Sequence, residues 1–396
     1  MMGELRLPSA EEIQAHVLHN LQFWAEHAVD REHGGFWTHL NRDGTRYGDG
    51  QKFLVMQARM TYAFAIAALW SGDSAWRELV EHGVRFLQEK MRDAKCGGWF
   101  WTVSREGDLT NGSKMAYGHA FGVYALAYAG HALDDDALLH DAEDGLHWMQ
   151  EHLWDTDRGG YVQSLTRCLF PLDNTKRLDT QLHSMEAASA VAAFCGSPFA
   201  RHHLHELAQT IATRTLHPNG QCAREWFLND WSENFDATGG NVSIGHNLEA
   251  AWFLRVAGLQ LNTDLFTPVA DTLLRFCLQH GWDEPRQAFI QNTTPDGEPT
   301  NRHLIYWTQG EAMGALSLWW RLTGKNEFCE RLAQVCHTVL TRFYDADYGE
   351  YFETLDESCQ PTHTHKGSAW KAAYHLTQAW WHVAGNLYGQ EARKVL

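Results

Sequence analysis

The chain has 396 residues, 44% hydrophobic and 20% charged, with a mean hydropathy of −0.42, a composition suited to a soluble globular protein of a few domains or one large repeat-built one. A formal net charge of −17 argues against nucleic acid or anionic membrane as a partner, and no apolar run reaches the roughly 18 residues of a membrane span. The start "MMGELRLPSAEEIQAHVLHN" lacks the basic and apolar regions of a secretory signal, and the eight scattered cysteines include no C-x-x-C pair. Reduced thiols in a cytoplasmic protein, with no disulfide frame and no zinc site, are the expectation.

In chain order, a turn-like stretch "DREHGGFWTHLNRDG" begins at Asp30 and leads to the apolar "ARMTYAFAIAALW", which contains Arg59. The amphipathic "SAWRELVEHGVRFLQEKMRD" then runs into "DAKCGGWFWTVSREG" at Asp93, followed by His119 and "AFGVYALAYAG". "DTDRGGYVQSL" at Asp155 precedes "LHSMEAASAVAAF", with His183 and Glu186. A degenerate turn, "HPNGQCAREWF" at His217, precedes "GHNLEAAWFLRVAG", with His246 and Glu249. "DEPRQAFIQNTTPDG" at Asp283 leads to Gln309, Glu311 and "EAMGALSLWW". After the amphipathic "NEFCERLAQVCHTVLTRFYD", the turn "DADYGEYFETLDES" at Asp345 leads to His375.

The turns recur at steps of 63, 62, 62, 66 and 62 residues, which is the signature of a repeat architecture. Each unit reads as an outer helix, a short β-hairpin loop and an inner helix. Helices apolar on every side are buried, whereas one-sided helices lie at the surface. The expectation is one all-α domain over residues 1–396, built from six outer and six inner helices. Six pairs form an open solenoid or a closed ring; analogy with known toroids favours an (α/α)6 barrel.

If the inner helices are equivalent, residues 60–66 apart share one depth. Arg59, His119, His183, His246, Gln309 and His375 then form a polar layer. Glu186, Glu249 and Glu311 add carboxylates, and an i, i+3 spacing puts His and Glu on one helix face. Burying so many ionisable groups is costly unless they line a wet cavity, and a cavity inside a helical ring suits a small molecule. H-x-x-E on two helices resembles a dimetal ligand set in reversed order, so no metal is assigned. Imidazoles titrate near neutrality and suit general acid–base work, with Arg59 near a developing enediolate oxygen. The pairs His202/His203 and His363/His365 read as surface or loop residues.

The stretches "MQARMTYAF", "GHNLEAAWFL", "YWTQGEAMG" and "KGSAWKAAYH" resemble the N-acylglucosamine 2-epimerase superfamily, in order and along nearly the whole chain. That family includes N-acylglucosamine and cellobiose 2-epimerases and mannose-type aldose–ketose isomerases. The resemblance implies an (α/α)6 barrel, no cofactor, and a two-histidine mechanism with His246 and His375 catalytic. It implies that Arg59 lies near the reacting oxygens, that His183 assists ring opening or substrate binding, and that Glu249 and Glu311 orient and tune the histidines, with Trp307 and Trp370 stacking on sugar; His119 and Gln309 of the polar layer are the further substrate-binding candidates. Against the cellobiose epimerase pattern, the chain has Gly118 and His119 after Tyr117, and Asp179 in place of Asn. These departures favour a monosaccharide of mannose type, with N-acylglucosamine epimerisation as the second reading. An inverting glycosidase would need two carboxylates about 6.5–9.5 Å apart, for which Glu225, Glu249 and Glu311 are available. A sugar-binding module without turnover is the remaining class. A homodimer stands as one oligomeric option.

Overall fold

Alanine- and glycine-rich segments and one-sided segments alternate along the chain, and they fold into alternating layers. In chain order the helices are α1 (Ala10–His27, outer), α2 (Leu54–Ser71, inner), α3 (Ser74–Phe86, outer), α4 (Ala116–Leu133, inner), α5 (Asp136–His152, outer), α6 (Leu178–Phe194, inner) and α7 (Pro198–Arg214, outer). A four-residue α8 (Phe235–Thr238) lies in a loop, followed by α9 (Ile244–Leu261, inner), α10 (Thr267–Phe276, outer), α11 (Tyr306–Thr323, inner), α12 (Asn326–Thr338, outer) and α13 (Tyr374–Tyr388, inner). This computed structural model describes residues 6–389; the ends of the expected 1–396 span lie outside the described residues. Small residues let the inner helices approach closely: a Cβ on Gly118 would come within 2.9 Å of the Trp101 ring and 3.0 Å of Leu54.

The fold is an all-α toroid, and the ring closes. Arg42 in the first loop donates to Asp345 in the last, through Nε at 2.7 Å and Nη2 at 2.9 Å. Leu40 bridges Gly367 in antiparallel pairing, and Trp70 meets Trp381 edge-on at 5.0 Å. The hairpins form a crown on one end of the ring. The two residues leading into each of the first five inner helices pair with the next unit's hairpin: Lys52 with Val103, Lys114 with Leu165, Lys176 with Phe227, Val242 with Thr293 and Leu304 with Leu355.

The leading Asp of each turn explains the repeat chemically. Asp30 binds Lys52 at 3.1 Å and Arg105 at 3.0 Å. Asp93 binds Lys114 and Arg167, and Asp345 binds Lys366 as well as Arg42. Each carboxylate thus ties its own unit to a neighbour. Such buried pairs are costly to break from one side, because the remaining charge is stranded.

A second repeated device corrects two expectations. Gln309 does not face the ring's hollow: its Oε1 accepts the Phe289 N–H at 2.9 Å and its Nε2 donates to the Phe289 carbonyl at 2.8 Å. Gln57 holds Phe36, Gln181 holds Tyr161 and Asn247 holds Ala223 in the same way. His119 takes this position in the second unit, where Nε2 accepts the Trp99 N–H at 3.0 Å and Nδ1 donates to the Met115 carbonyl at 2.9 Å. Buried backbone groups must find partners, and these side chains supply them. His203 also departs from its surface reading: it is buried, with Nε2 2.6 Å from the Tyr161 hydroxyl, because α7 packs that face against the third turn.

Candidate active site

The inner helices all begin at the crown, so their first two turns enclose the hollow there. A cavity of about 320 Å³ is lined by Arg59, Tyr117, Arg177, Asp179, His183, His246, Glu249, Tyr306, Trp307, Glu353, Trp370 and His375. Helix N-termini carry partial positive charge and favour an anion placed among them.

Ser243 caps α9 and accepts the His246 N–H at 3.2 Å. The ring of His246 then turns outward to the degenerate hairpin, with Nδ1 2.5 Å from Glu225 Oε2. The sequence pairs His246 with Glu249, three residues on; the side chains do not meet, because Glu225 captures the imidazole first. Burial would depress the His246 pKa, but the Glu225 charge and hydrogen bond outweigh burial and raise it. Gly245 makes room for Trp307, since a Cβ there would lie 2.3 Å from the indole. That indole packs against His246 at 4.9 Å and against His375 at 5.6 Å between ring centroids.

His375 lies in the first turn of α13, with Nδ1 2.9 Å from Glu311 Oε1. The other oxygen of Glu311 accepts the Trp252 indole N–H at 2.9 Å. Burial, reinforced by Arg59, His183 and His246, holds the His375 pKa well below its usual value. Both Nδ1 atoms are therefore committed to carboxylates, a pattern that orients each ring and leaves Nε2 for a ligand.

The other i, i+3 pair does form. His183 Nδ1 lies 3.1 Å from Glu186 Oε2. Tyr374 donates to Glu186 at 2.6 Å, and Gln378 also donates to it. Burial raises Glu186 to about 8 despite those bonds. His183 Nε2 faces Glu249 at 3.6 Å. Glu249 is 1% exposed, and neither carboxyl oxygen has a hydrogen-bond partner among the described residues. Burial together with Glu311 and Glu186 pushes its pKa well up.

Arg59 reaches in from α2. Its Nη1 donates to the Trp370 carbonyl at 2.5 Å and its Nη2 to the Tyr117 hydroxyl at 2.8 Å, with Phe121 4.4 Å below the guanidinium. Trp370 is 53% exposed and forms the rim beside Tyr117, 5.9 Å between centroids. Arg177 bonds Asp179 and stacks on Trp226 at 4.3 Å. Glu353 closes the opposite side, 3.3 Å from His363.

Of the residues expected to bind or react, Arg59, His183, His246, Glu249, Trp307, Trp370 and His375 share this cavity. Glu311 stands behind His375, while His119 and Gln309 serve the wall. Sequence reasoning assigns no site role to Tyr117, Arg177, Tyr306 or Glu353, takes Asp179 only as a departure that bears on substrate choice, and offers Glu225 only as a hydrolase carboxylate. Tyr117 and Tyr306 carried a usable signal, each lying in the first turn of an inner helix. Among the described residues, no group of three or more His, Cys, Asp or Glu is arranged to hold a metal ion, and no helix is long and apolar enough to cross a membrane.

A profile of the N-acylglucosamine 2-epimerase (GlcNAc 2-epimerase) family matches residues 34–379. The chain belongs to this family. It is therefore an isomerase or epimerase that acts on carbohydrates, which sets aside the glycosidase reading; Glu225 and Glu311 are in any case each bound to a histidine. The cellobiose 2-epimerase of Eubacterium cellulosolvens is 25% identical over 382 residues, covering 90% of this chain and 93% of that one. The D-mannose isomerase of Marinomonas mediterranea is 21% identical over 392 residues, covering 95% and 97%. The solved cellobiose 2-epimerase of Spirochaeta thermophila superposes with a TM-score of 0.85 at 26% identity, over 95% of this chain and 96% of that one.

Proposed function

We propose that this epimerase-family protein removes the C2 proton of an open-chain, unphosphorylated aldose of mannose type. The observation that carries this reading is the sharing of one cavity, and one Trp307 indole, by two carboxylate-bound histidines. His375, neutral through burial, is the base: its Nε2 takes the C2 proton, and the C–H electron pair moves into the C1 carbonyl to give an enediolate. Arg59 and the converging helix N-termini stabilise the oxygen charge. His246, kept protonated by Glu225, is the acid. Delivery of its proton to the opposite face of C2 gives the epimer. Protonation at C1, with proton transfer between O2 and O1, gives the ketose.

His183 and Glu249 bind hydroxyls and assist ring opening, and Trp307 and Trp370 pack on the sugar. The scheme runs without a cofactor. His119 cannot speak for substrate size, because it holds the Trp99 backbone. Of the departures from the cellobiose epimerase pattern, Asp179 is the one at the cavity wall, and the monosaccharide preference now rests on it.

The test is an NMR product screen with mannose, glucose, cellobiose and N-acetylglucosamine. Fructose or glucose formed from mannose supports the reading. Turnover of N-acetylglucosamine or cellobiose alone moves the substrate class, and no turnover of any aldose overturns the proposal.

A further inference from the structure

The sixth unit breaks the repeat at the end that carries His375. In the other five units the backbone-holding side chain is the fourth residue of the inner helix: Gln57, His119, Gln181, Asn247 and Gln309. The sequence step puts Lys371 in that place, 20 residues after Tyr351 as Gln309 is 20 after Phe289. Yet α13 begins only at Tyr374, beyond Lys371. The inner helix is unwound at its start.

The turn that faces Lys371 differs as well. In units one to three the left-handed residue closing the turn is Gly35, Gly98 or Gly160, with φ of +66°, +63° and +79°. Each accepts the N–H of the leading Asp, and Glu350 does the same for Asp345 at 2.9 Å. Glu350 adopts φ +60° without being glycine, a conformation that costs a side-chain-bearing residue energy and that clusters where function over-determines the backbone. In the first two units a Cβ there would strike the holding side chain, 2.5 Å from Gln57 Oε1 or 2.4 Å from His119 Nε2. In the sixth unit the side chain is admitted because its partner is different: Lys371 Nζ donates to Glu350 Oε1 at 2.7 Å. Both residues are 1% exposed. Asn20 and Trp24 of α1 hold the other Glu350 oxygen at 2.7 and 3.0 Å.

Lys371 also donates to the Lys366 carbonyl at 2.8 Å, and its own carbonyl accepts the Ser368 N–H at 3.1 Å. The ammonium thus staples a loop in place of the missing helical turn. That loop frees the Trp370 carbonyl for Arg59, and it puts His375 in the first turn of α13, where equivalent helices have long since begun. We infer that the buried Glu350–Lys371 pair is a positioning element of the active site, keeping the start of the sixth inner helix unwound so that His375 and the Trp370 carbonyl face the sugar. This rests on the role proposed above for His375.

The test converts the sixth unit to the pattern of the first and third, with the double variant Glu350→Gly/Lys371→Gln. It removes the left-handed strain and restores a neutral holding side chain, but it also leaves the buried Asn20 amide and Trp24 indole N–H without their acceptor, so Tm falls while the protein stays folded at the assay temperature. The start of α13 rewinds, and kcat falls roughly 100-fold, the loss typical of a displacement of about 1 Å at a reacting group. Glu350→Gln, which keeps length and an acceptor oxygen, retains kcat within about tenfold. The readout that a merely structural pair would not move is kcat per folded molecule, with the folded fraction taken from circular dichroism at the assay temperature. Unchanged kcat per folded molecule in the double variant, or a kcat loss accounted for by a fall in the folded fraction, overturns the inference. His375→Asn run in parallel separates the two claims: if it stays active, the reading of His375 fails; if it is inactive while the double variant turns over normally, only the positioning role fails.

Discussion

His119 and His246 both sit in the first turn of an inner helix; His119 is fully buried, whereas 19% of the His246 side chain is exposed. Their surroundings also differ in how the ring nitrogens are used. Both nitrogens of His119 are spent on backbone, accepting from Trp99 and donating to Met115. Burial pushes its pKa to about 3, and no nitrogen is left for a substrate. His246 spends only Nδ1, on Glu225, and its ring lines the cavity. His375 repeats that pattern with Glu311. What separates His119 from His246 and His375 is a single uncommitted nitrogen and a Glu on the other; His183 shares that pattern through Glu186.

The sharpest way to break this contrast is to replace the reactive rings. His375→Asn or His246→Asn should lower kcat by roughly 10²–10⁴-fold, the range of general acid–base catalysis, with circular dichroism and Tm nearly unchanged. Glu225→Gln comes next. Glu225 raises the His246 pKa, and the acid form is present below that pKa, so activity is lost as pH rises through it. Removing the charge should move this alkaline limb of the kcat/KM profile to lower pH. An unmoved limb would mean that His246 is not the titrating acid. Trp370→Ala keeps the carbonyl that holds Arg59 but removes the rim, so KM should rise severalfold, about 1 kcal/mol of stacking, with kcat little changed. The smallest effect belongs to the wall. His119→Gln installs the side chain that the first, third and fifth units use, and should cost under about 1.5 kcal/mol by denaturant unfolding. Turnover per folded molecule should be that of the unaltered protein; a large kcat loss in a well-folded His119→Gln protein would erase the distinction drawn between the two kinds of histidine.

The fold was legible because each unit repeats its apolar pattern and five of the six turns repeat a leading Asp, of which Asp30, Asp93 and Asp345 tie neighbouring units together. Ring closure was not, since Arg42 and Asp345 are 303 residues apart and no periodicity reports that contact. Tracing one polar residue per helix assumed that the most regular register is the reactive one. The regular register instead carries backbone partners, from Gln57 to Gln309, which is why His119 and Gln309 were drawn into the layer. The residues proposed to react sit off that register: His246 precedes Asn247, and His375 follows Lys371 because α13 starts late. Glu225 and Glu353 come from hairpins, where side-chain direction depends on turn geometry that spacing does not encode. His183–Glu186 and His246–Glu249 show the limit of helical spacing: the same i, i+3 interval closes in one case and opens in the other, because Glu225 from the hairpin takes the His246 Nδ1 whereas the His183 Nδ1 is left for Glu186.

The central claim is that His375 and His246 together move the C2 hydrogen of a sugar. The direct measurement is deuterium uptake at C2 from D2O, followed by proton NMR with the preferred aldose, in the unaltered protein and in His375→Asn. The account predicts label at C2 of recovered substrate or product with the unaltered protein and none above background with the variant. Conversion of the sugar without any solvent label at C2 or C1, or undiminished labelling by His375→Asn, would contradict it.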